Sequence, residues 1–234
     1  MSDQKSYWNE SYLKMKRESS GYVVNDSLIE FFQSKVMTYL NSKKRIKILE
    51  TGCGGGSFLE GFVGPNFILV GLDFSEDAIR MAQNRVDDSR FQFLQGDVST
   101  MNWQKEFDLV IDSHCLHCLV ENELRKKYFA GVKRALPAGG VFAFESMIAH
   151  DDLNFSDYFL YLEEEKTLLQ QIGTEVVPVR KILPAKVIEE ELVTAGFNII
   201  YFAVALGKKV IPDEGRTSPV EGDPELLRVI CTKR

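Results

Sequence analysis

With 234 residues, 44% of them apolar and 26% charged, the chain can bury one good core, and a second full domain is not expected. A formal charge of −6 argues against holding nucleic acid through its phosphates, because that mode needs clustered Lys and Arg and no basic run exceeds residues 43–45. The first ten residues are polar, no apolar run approaches the roughly 20 residues that span a bilayer, and four cysteines make no dense disulfide framework, so a cytoplasmic protein with reduced thiols and no membrane partner is expected.

In chain order, a helix over 6–16 would set Trp8 and Tyr12 four apart on one face, which either pads a sheet edge or folds over a ligand as a lid. A second helix over 25–40 has Asn25 or Asp26 as its cap and Leu28, Phe32, Val36 and Tyr39 as its apolar stripe. The run 46–50 has strand character, ends on Glu50, and meets a loop holding Gly52, Gly54, Gly55 and Gly56. Such a loop turns sharply and exposes bare backbone to a ligand. A second strand, 67–72, ends on Asp73, and Ser75 followed by Glu76 and Asp77 starts a helix whose buried side is Ile79, Ala82 and Val86. A short strand over 91–94 leads to Asp97 and Val98, and a strand over 107–111 ends at Asp112 and Ser113. A helix with Leu124, Tyr128, Val132 and Leu136 on one face precedes the strand 141–144, which ends at Glu145. Strand and helix alternate throughout this stretch, which predicts right-handed crossovers and a parallel sheet.

The segment 146–183 is too long for an ordinary connection. Its Phe155, Tyr158, Phe159, Leu162, Leu169 and Ile172 predict an amphipathic helix with an acidic outer face. A helix over 184–195 then stops at Gly196 and is followed by strands 197–206 and 226–232, which must pair antiparallel. The connection 207–224 carries Pro212, Pro219 and Pro224 and is far longer than a hairpin requires; it is expected to form a second wall of an acceptor pocket, facing the insert.

A dinucleotide fingerprint, G-x-G-x-x-G, requires a third glycine where this chain has Ser57. The observed E-x-G-x-G-x-G, together with VGLDFS, LQGDVS, FDLVIDSHCLHCL and RALPAGGVFAF, resembles the successive motifs of the class I S-adenosylmethionine-dependent methyltransferases. That resemblance implies an α/β fold, doubly wound, with a mostly parallel seven-stranded sheet ending in an antiparallel hairpin. It also implies a single domain: a helical cap at 1–40, a cofactor-binding core at 41–145, a substrate-side insert at 146–183, and a closing helix and hairpin at 184–234. S-adenosyl-L-methionine is the implied cofactor. Glu50, Gly52, Gly54 and Gly56 would hold its methionine portion, Asp73 its ribose hydroxyls and Asp97, with help from Val98, its adenine amino group, with Cys53 and Phe74 also among the cofactor-binding residues, Ser113 lining the pocket and Trp8 covering it. Asp73→Ala is expected to weaken cofactor binding by about 1.5–3 kcal/mol with the fold intact.

By the same resemblance the segment after the fourth strand faces the transferable methyl group, so His117 is the first candidate for catalysis, with His114, Glu145 and, more weakly, His150 behind it. His114, Cys115, His117 and Cys118 are metal-competent types, but one five-residue segment cannot close a tetrahedron and no second pair stands at useful spacing, so no metal is expected. The chain has D-S-H-C where nucleic-acid base methyltransferases place N-P-P-Y, which leaves a small-molecule acceptor. The rival reading is a protein that binds the cofactor, or a related nucleoside, for regulation without turnover.

Overall fold

The computed structural model describes residues 2–18, 26–40, 45–56, 58, 65–154, 160–172, 174–212 and 218–234. Its frame is a seven-stranded sheet in the order β3-β2-β1-β4-β5-β10-β9, where β1 is Ile46–Thr51, β2 Phe67–Asp73, β3 Phe91–Gln95, β4 Leu109–Ser113, β5 Val141–Ile148, β9 Phe197–Lys209 and β10 Glu225–Lys233. The first five are parallel to their neighbours. β10 runs antiparallel between β5 and β9, so β9 again points the same way as β5. The doubly wound sheet with its antiparallel end is the architecture expected from the sequence.

Strand residues alternate between two cores, one on each face. Leu49, Val70, Val110, Phe142 and Phe144 pack with Tyr128, Phe129 and Val132 of α4 (Asn122–Ala135) and with Ile188 and Leu192 of α5 (Ala185–Thr194). Ile48, Leu69, Leu109, Ile111, Val141 and Ala143 point the other way. They meet Leu28, Phe31 and Phe32 of α2 (Asp26–Ser34) and Ile79 and Ala82 of α3 (Glu76–Arg85). Both faces are covered, which is why these strands read as unbroken apolar runs rather than alternating ones. The Ser75 hydroxyl caps α3 by accepting from the Ala78 amide at 3.2 Å, as its place before two acids predicted. The α2 stripe continues into a short 3-10 turn, Val36–Tyr39, whose Tyr39 is exposed; Asn25 lies outside the described residues.

α1 (Ser2–Glu18) lies across the carboxyl ends of the strands. The Ser75 hydroxyl donates to Asn9 Oδ1 at 2.6 Å, and the Gln4 amide donates to the carbonyls of Cys118 at 2.6 Å and Val179 at 3.3 Å. The helix is thus tied to both halves of the sheet.

Two expectations are corrected here. The described part of the insert is not helical: β6 (Leu160–Leu162), β7 (Thr167–Ile172) and β8 (Glu175–Lys181) form a separate antiparallel sheet. The helical spacing of Leu162, Leu169 and Ile172 is coincidental, because the buried side chains of the local core are Leu168, Val177 and Val179, with Met147 and Ile182, and of the three only Ile172 packs at its edge. The paired positions 177 and 179 show strand periodicity, and Lys166 takes φ 53° in the turn before β7. Phe155, Tyr158 and Phe159 lie outside the described residues. The second correction concerns the connection between β9 and β10. Its described residues, 208–212 and 218–224, do not line the cavity described below; they pack against the start of the insert, where the Asn154 amide donates to the Gly222 carbonyl at 3.0 Å. The hairpin strands run longer than expected and absorb part of the connection that was assigned to a wall.

Candidate active site

The sheet order reverses direction at β1 and β4, and the carboxyl ends of these two neighbours open a crevice of the kind in which open α/β sheets hold ligands. With α1 across its mouth, this becomes a cavity of about 750 Å³. Glu50, Gly52, Cys53, Asp73, Phe74, Asp97, Val98, Ser113 and Trp8 all line it, as do His114 and His117.

The glycine loop is shaped by steric need. Gly52 takes φ +66°, and a Cβ there would lie 2.6 Å from the Cys115 Cβ, so a side chain would collide as well as strain the backbone. Gly54 and Gly56 do not line the cavity. They also take positive φ, and the Gly54 amide donates to Asp73 Oδ2 at 2.9 Å, so this glycine shapes the loop by fastening it to β2. The other Asp73 oxygen accepts from the Ser75 amide at 2.8 Å. Asp73→Ala would orphan two backbone donors. The substitution is expected to cost about 1–3 kcal/mol of stability in addition to ligand affinity. A urea midpoint equal to that of the unaltered chain would refute the fastening role.

Three carboxylates converge on this end of the cavity, and none of them makes an ion pair with Lys5, the exposed lysine of α1 that also lines it. Asp97 Oδ1 accepts from the Ser99 amide at 2.7 Å and caps a short 3-10 turn, Val98–Thr100. Asp73 is buried, and desolvation holds its pKa above the ordinary carboxylate value against the pull of its amide donors. Glu50 is the most strained electrostatically. It is 1% exposed, its Oε1 accepts from the Ser113 hydroxyl at 2.6 Å, and its buried Oε2 has no hydrogen-bond partner among the described residues. Burial pushes its pKa up to about 8, opposed by the Ser113 hydrogen bond and reinforced by Asp112 and Asp73. An orphaned acceptor in an acid-lined pocket is a site built for a cationic ligand.

At the other end both candidate histidines line the cavity. His114 sits just past β4 at φ +82°, a left-handed conformation that costs a non-glycine residue on the order of 1 kcal/mol. Its Nε2 lies 2.8 Å from Glu145 Oε1. Glu145 Oε2 accepts from Arg228 Nε at 2.6 Å, and Arg228 Nη2 donates to the Ser27 hydroxyl at 2.9 Å. Burial alone would raise the Glu145 pKa, but His114 and Arg228 together hold it below the ordinary value. The ionised carboxylate fixes the proton of His114 on Nε2, which leaves Nδ1 as the acceptor. Glu145 itself is fully buried and does not line the cavity, so its candidacy as a group that touches substrate is corrected: it orients His114.

His117 is 2% exposed and belongs to a 3-10 turn, Leu116–Cys118. The Met147 amide donates to its Nδ1 at 3.3 Å, which assigns the ring proton to Nε2. Burial, reinforced by the nearby charges of Arg180 and Arg125, keeps its pKa well below the ordinary histidine value. His117 is therefore a neutral ring in the cavity wall. His150 does not line it; its Nε2 lies 2.7 Å from the Asp223 carbonyl.

Groups that the sequence did not single out hold this wall. Asp112 is buried behind it, accepting from the Tyr128 hydroxyl and the Cys115 amide, each at 2.7 Å, and burial lifts its pKa to about 6. Arg125 is 1% exposed and donates to both oxygens of Glu191, at 2.7 and 2.6 Å, and to the Leu116 carbonyl at 2.7 Å, which pins the 3-10 turn to α4 and α5. Burial also raises the thiols of Cys115 and Cys118, the latter to about 12, so neither is a nucleophile near neutral pH. Among the described residues no group of three His, Cys, Asp or Glu side chains is placed to hold a metal ion, and no helix is long and apolar enough to cross a membrane.

Residues 42–190 match the family model described as a methyltransferase domain. Thiocyanate methyltransferase 1 of Arabidopsis thaliana is 27% identical over 139 residues, covering 58% of this chain and 61% of that protein, so the chain spans about three-fifths of the length of this relative. Among solved structures, an S-adenosylmethionine-dependent methyltransferase of Methanosarcina mazei superposes with a TM-score of 0.67 at 20% identity, covering 85% of this chain and 96% of its own. The 1,6-didemethyltoxoflavin-N1-methyltransferase of Burkholderia thailandensis, solved with its substrate and S-adenosylhomocysteine, superposes with a TM-score of 0.64 at 13% identity over 96% and 86% of the two chains.

Proposed function

Because the chain belongs to the methyltransferase-domain family, we propose that it transfers a methyl group from S-adenosylmethionine to a small-molecule acceptor held in the cavity beneath α1. The observation that carries this reading is the unpartnered, buried Oε2 of Glu50 beside Asp73 and Asp97: a cationic, nucleoside-bearing ligand answers all three. The cofactor supplies an already activated methyl group on a sulfonium sulfur. Glu50 takes the ammonium of its methionine portion, Asp73 the ribose hydroxyls, and Asp97 with Val98 the adenine. Ser113 keeps one oxygen of Glu50 turned away from the ligand, and Trp8 and Tyr12 exclude water from above.

Placement of the acceptor in line with that methyl group is the main work asked of the protein, and positioning of this kind is worth about 7–11 kcal/mol. Where the reacting atom arrives protonated, His114 Nδ1 removes the proton while Glu145 stabilises the imidazolium that forms. His117 donates from Nε2 to the acceptor and orients it. Two of the three comparison proteins are named for a small anion and for a heterocycle, so acceptors differ widely among chains of related design. Incubating the full chain with S-adenosylmethionine and a cell metabolite extract is expected to yield S-adenosylhomocysteine above the rate without extract. Tight binding of the cofactor without any extract-dependent turnover would favour the non-catalytic reading instead.

A further inference from the structure

The insert contributes one buried charge with donors left unpaired among the described residues. Arg180, on β8, is nine-tenths buried at the cavity wall. Its Nε and Nη1 are buried and have no hydrogen-bond partner among the described residues. The Trp8 ring lies 5.1 Å from its Cζ, so an aromatic face steadies the guanidinium and leaves its N–H edges unused. The two other arginines of this region are treated differently. Arg125 is saturated by Glu191 and the Leu116 carbonyl, and Arg228 by Glu145 and Ser27. A buried guanidinium stays charged and is costly to leave unpaired.

The charges along the cavity are segregated by their place in the sheet. Glu50, Asp73 and Asp97 come from β1, β2 and the segment after β3, whereas His114, His117 and Arg180 come from the segments that follow β4 and β5; the remaining charge of the lining, Lys5 of α1, is exposed. Arg180 is close enough to the 3-10 turn for its charge to act on His117 and Cys118. Beside it the lining is apolar, with Leu119, Leu124 and Met147.

We infer that the methyl acceptor carries a carboxylate, which Arg180 binds, on an apolar body that Leu119, Leu124 and Met147 enclose. One guanidinium balances one negative charge, and its planar N–H donors suit a planar carboxylate better than a dianionic group would require. This rests on the methyl-transfer reading above, and it adds the chemical class of the acceptor. The carboxylate ties the acceptor in register, so the cavity selects against neutral analogues, which would leave the guanidinium unpaired.

The full chain, saturated with S-adenosylhomocysteine, should be titrated with a matched library of carboxylic acids and their primary amides. The acids are expected to bind at least tenfold more tightly than their amides. Arg180→Met should erase that preference with the affinity for S-adenosylhomocysteine unchanged, and should raise the urea midpoint, because it removes an unpaired buried charge; a merely structural arginine would lower it. Arg180→Lys should retain part of the preference. Equal binding of acids and amides, no acid bound at millimolar concentration, or an acid preference that survives in Arg180→Met would each overturn the inference. Failure of the unaltered chain to bind S-adenosylhomocysteine would instead refute the reading on which it rests.

Discussion

Glu50→Gln is expected to make the free protein more stable while weakening its hold on the cofactor. Burial, opposed by Ser113 and aided by Asp112 and Asp73, lifts this carboxyl to about 8 from an ordinary 4.5. The folded chain then binds the Glu50 proton more tightly than the unfolded chain does. The stability linked to that proton is full below pH 4.5, falls as pH rises, and is lost once pH passes about 8. At pH 7 the loss is about 3 kcal/mol, and at higher pH it levels off near ~5 kcal/mol. Glutamine keeps an acceptor for the Ser113 hydroxyl and has no charge to desolvate, so its urea midpoint should match that of the unaltered chain near pH 4.5 and exceed it increasingly up to about pH 8, above which the difference levels off. Affinity for S-adenosylmethionine should fall ten- to a hundredfold, the equivalent of about 1.5–3 kcal/mol for a hydrogen bond to a charged group. A lower midpoint at pH 8 would mean that Glu50 has a stabilising partner in the free protein.

His114→Ala should produce the larger kinetic effect. For an acceptor whose reacting atom carries a proton, loss of a positioned base lowers turnover by about 10²–10⁴-fold. The affinity for S-adenosylmethionine should stay within about twofold, because the cofactor end is built from β1, β2 and β3. Glu145→Gln keeps the His114 ring but removes the charge that fixes its tautomer, so a smaller loss in the same direction is expected. A base has a signature that a packing residue lacks: the deficit of His114→Ala should shrink as pH rises past the acceptor's own pKa, where the acceptor ionises unaided. A deficit that is constant with pH would assign His114 to positioning alone. Restoring turnover by removing His117 in place of His114 would reverse the roles given to the two rings.

The parallel half of the sheet was legible because its signals are local. Apolar runs ending on Glu50, Asp73 and Asp112, with glycines after the first, announce strands and the turns at their carboxyl ends. The same logic brought Glu50, Asp73, Asp97 and Ser113 to one cavity. What failed depended on partners far away in the chain. Leu162, Leu169 and Ile172 imitate a helix, and only pairing of Leu168 with Arg180 and of Gln170 with Val177 shows that this segment is sheet. Glu145 looked like a substrate-facing acid until Arg228, 83 residues on, took its second oxygen. The choice between His114 and His117 turned on which ring nitrogen meets Glu145 and which meets the Met147 amide, and no spacing reports that. Arg180 went unweighed because the insert was read as a helix with an acidic outer face. The connection after β9 misled in the opposite sense, since its length suggested a wall and its described residues instead brace the insert.

The central claim is that a cationic cofactor occupies the acid-lined end of the cavity against Glu50. Calorimetric titration of the full chain with S-adenosylmethionine at pH 7, in buffers of differing ionisation enthalpy, tests it directly. With Glu50 titrating at about 8 in the free chain, the carboxyl is mostly protonated at pH 7, and a cation bound to it must displace that proton. The expected result is one site, close to one proton released per cofactor bound, affinity that rises with pH up to about 8 and then levels off, and no such release from Glu50→Gln. Binding without proton release, or no binding at millimolar cofactor, would contradict the account.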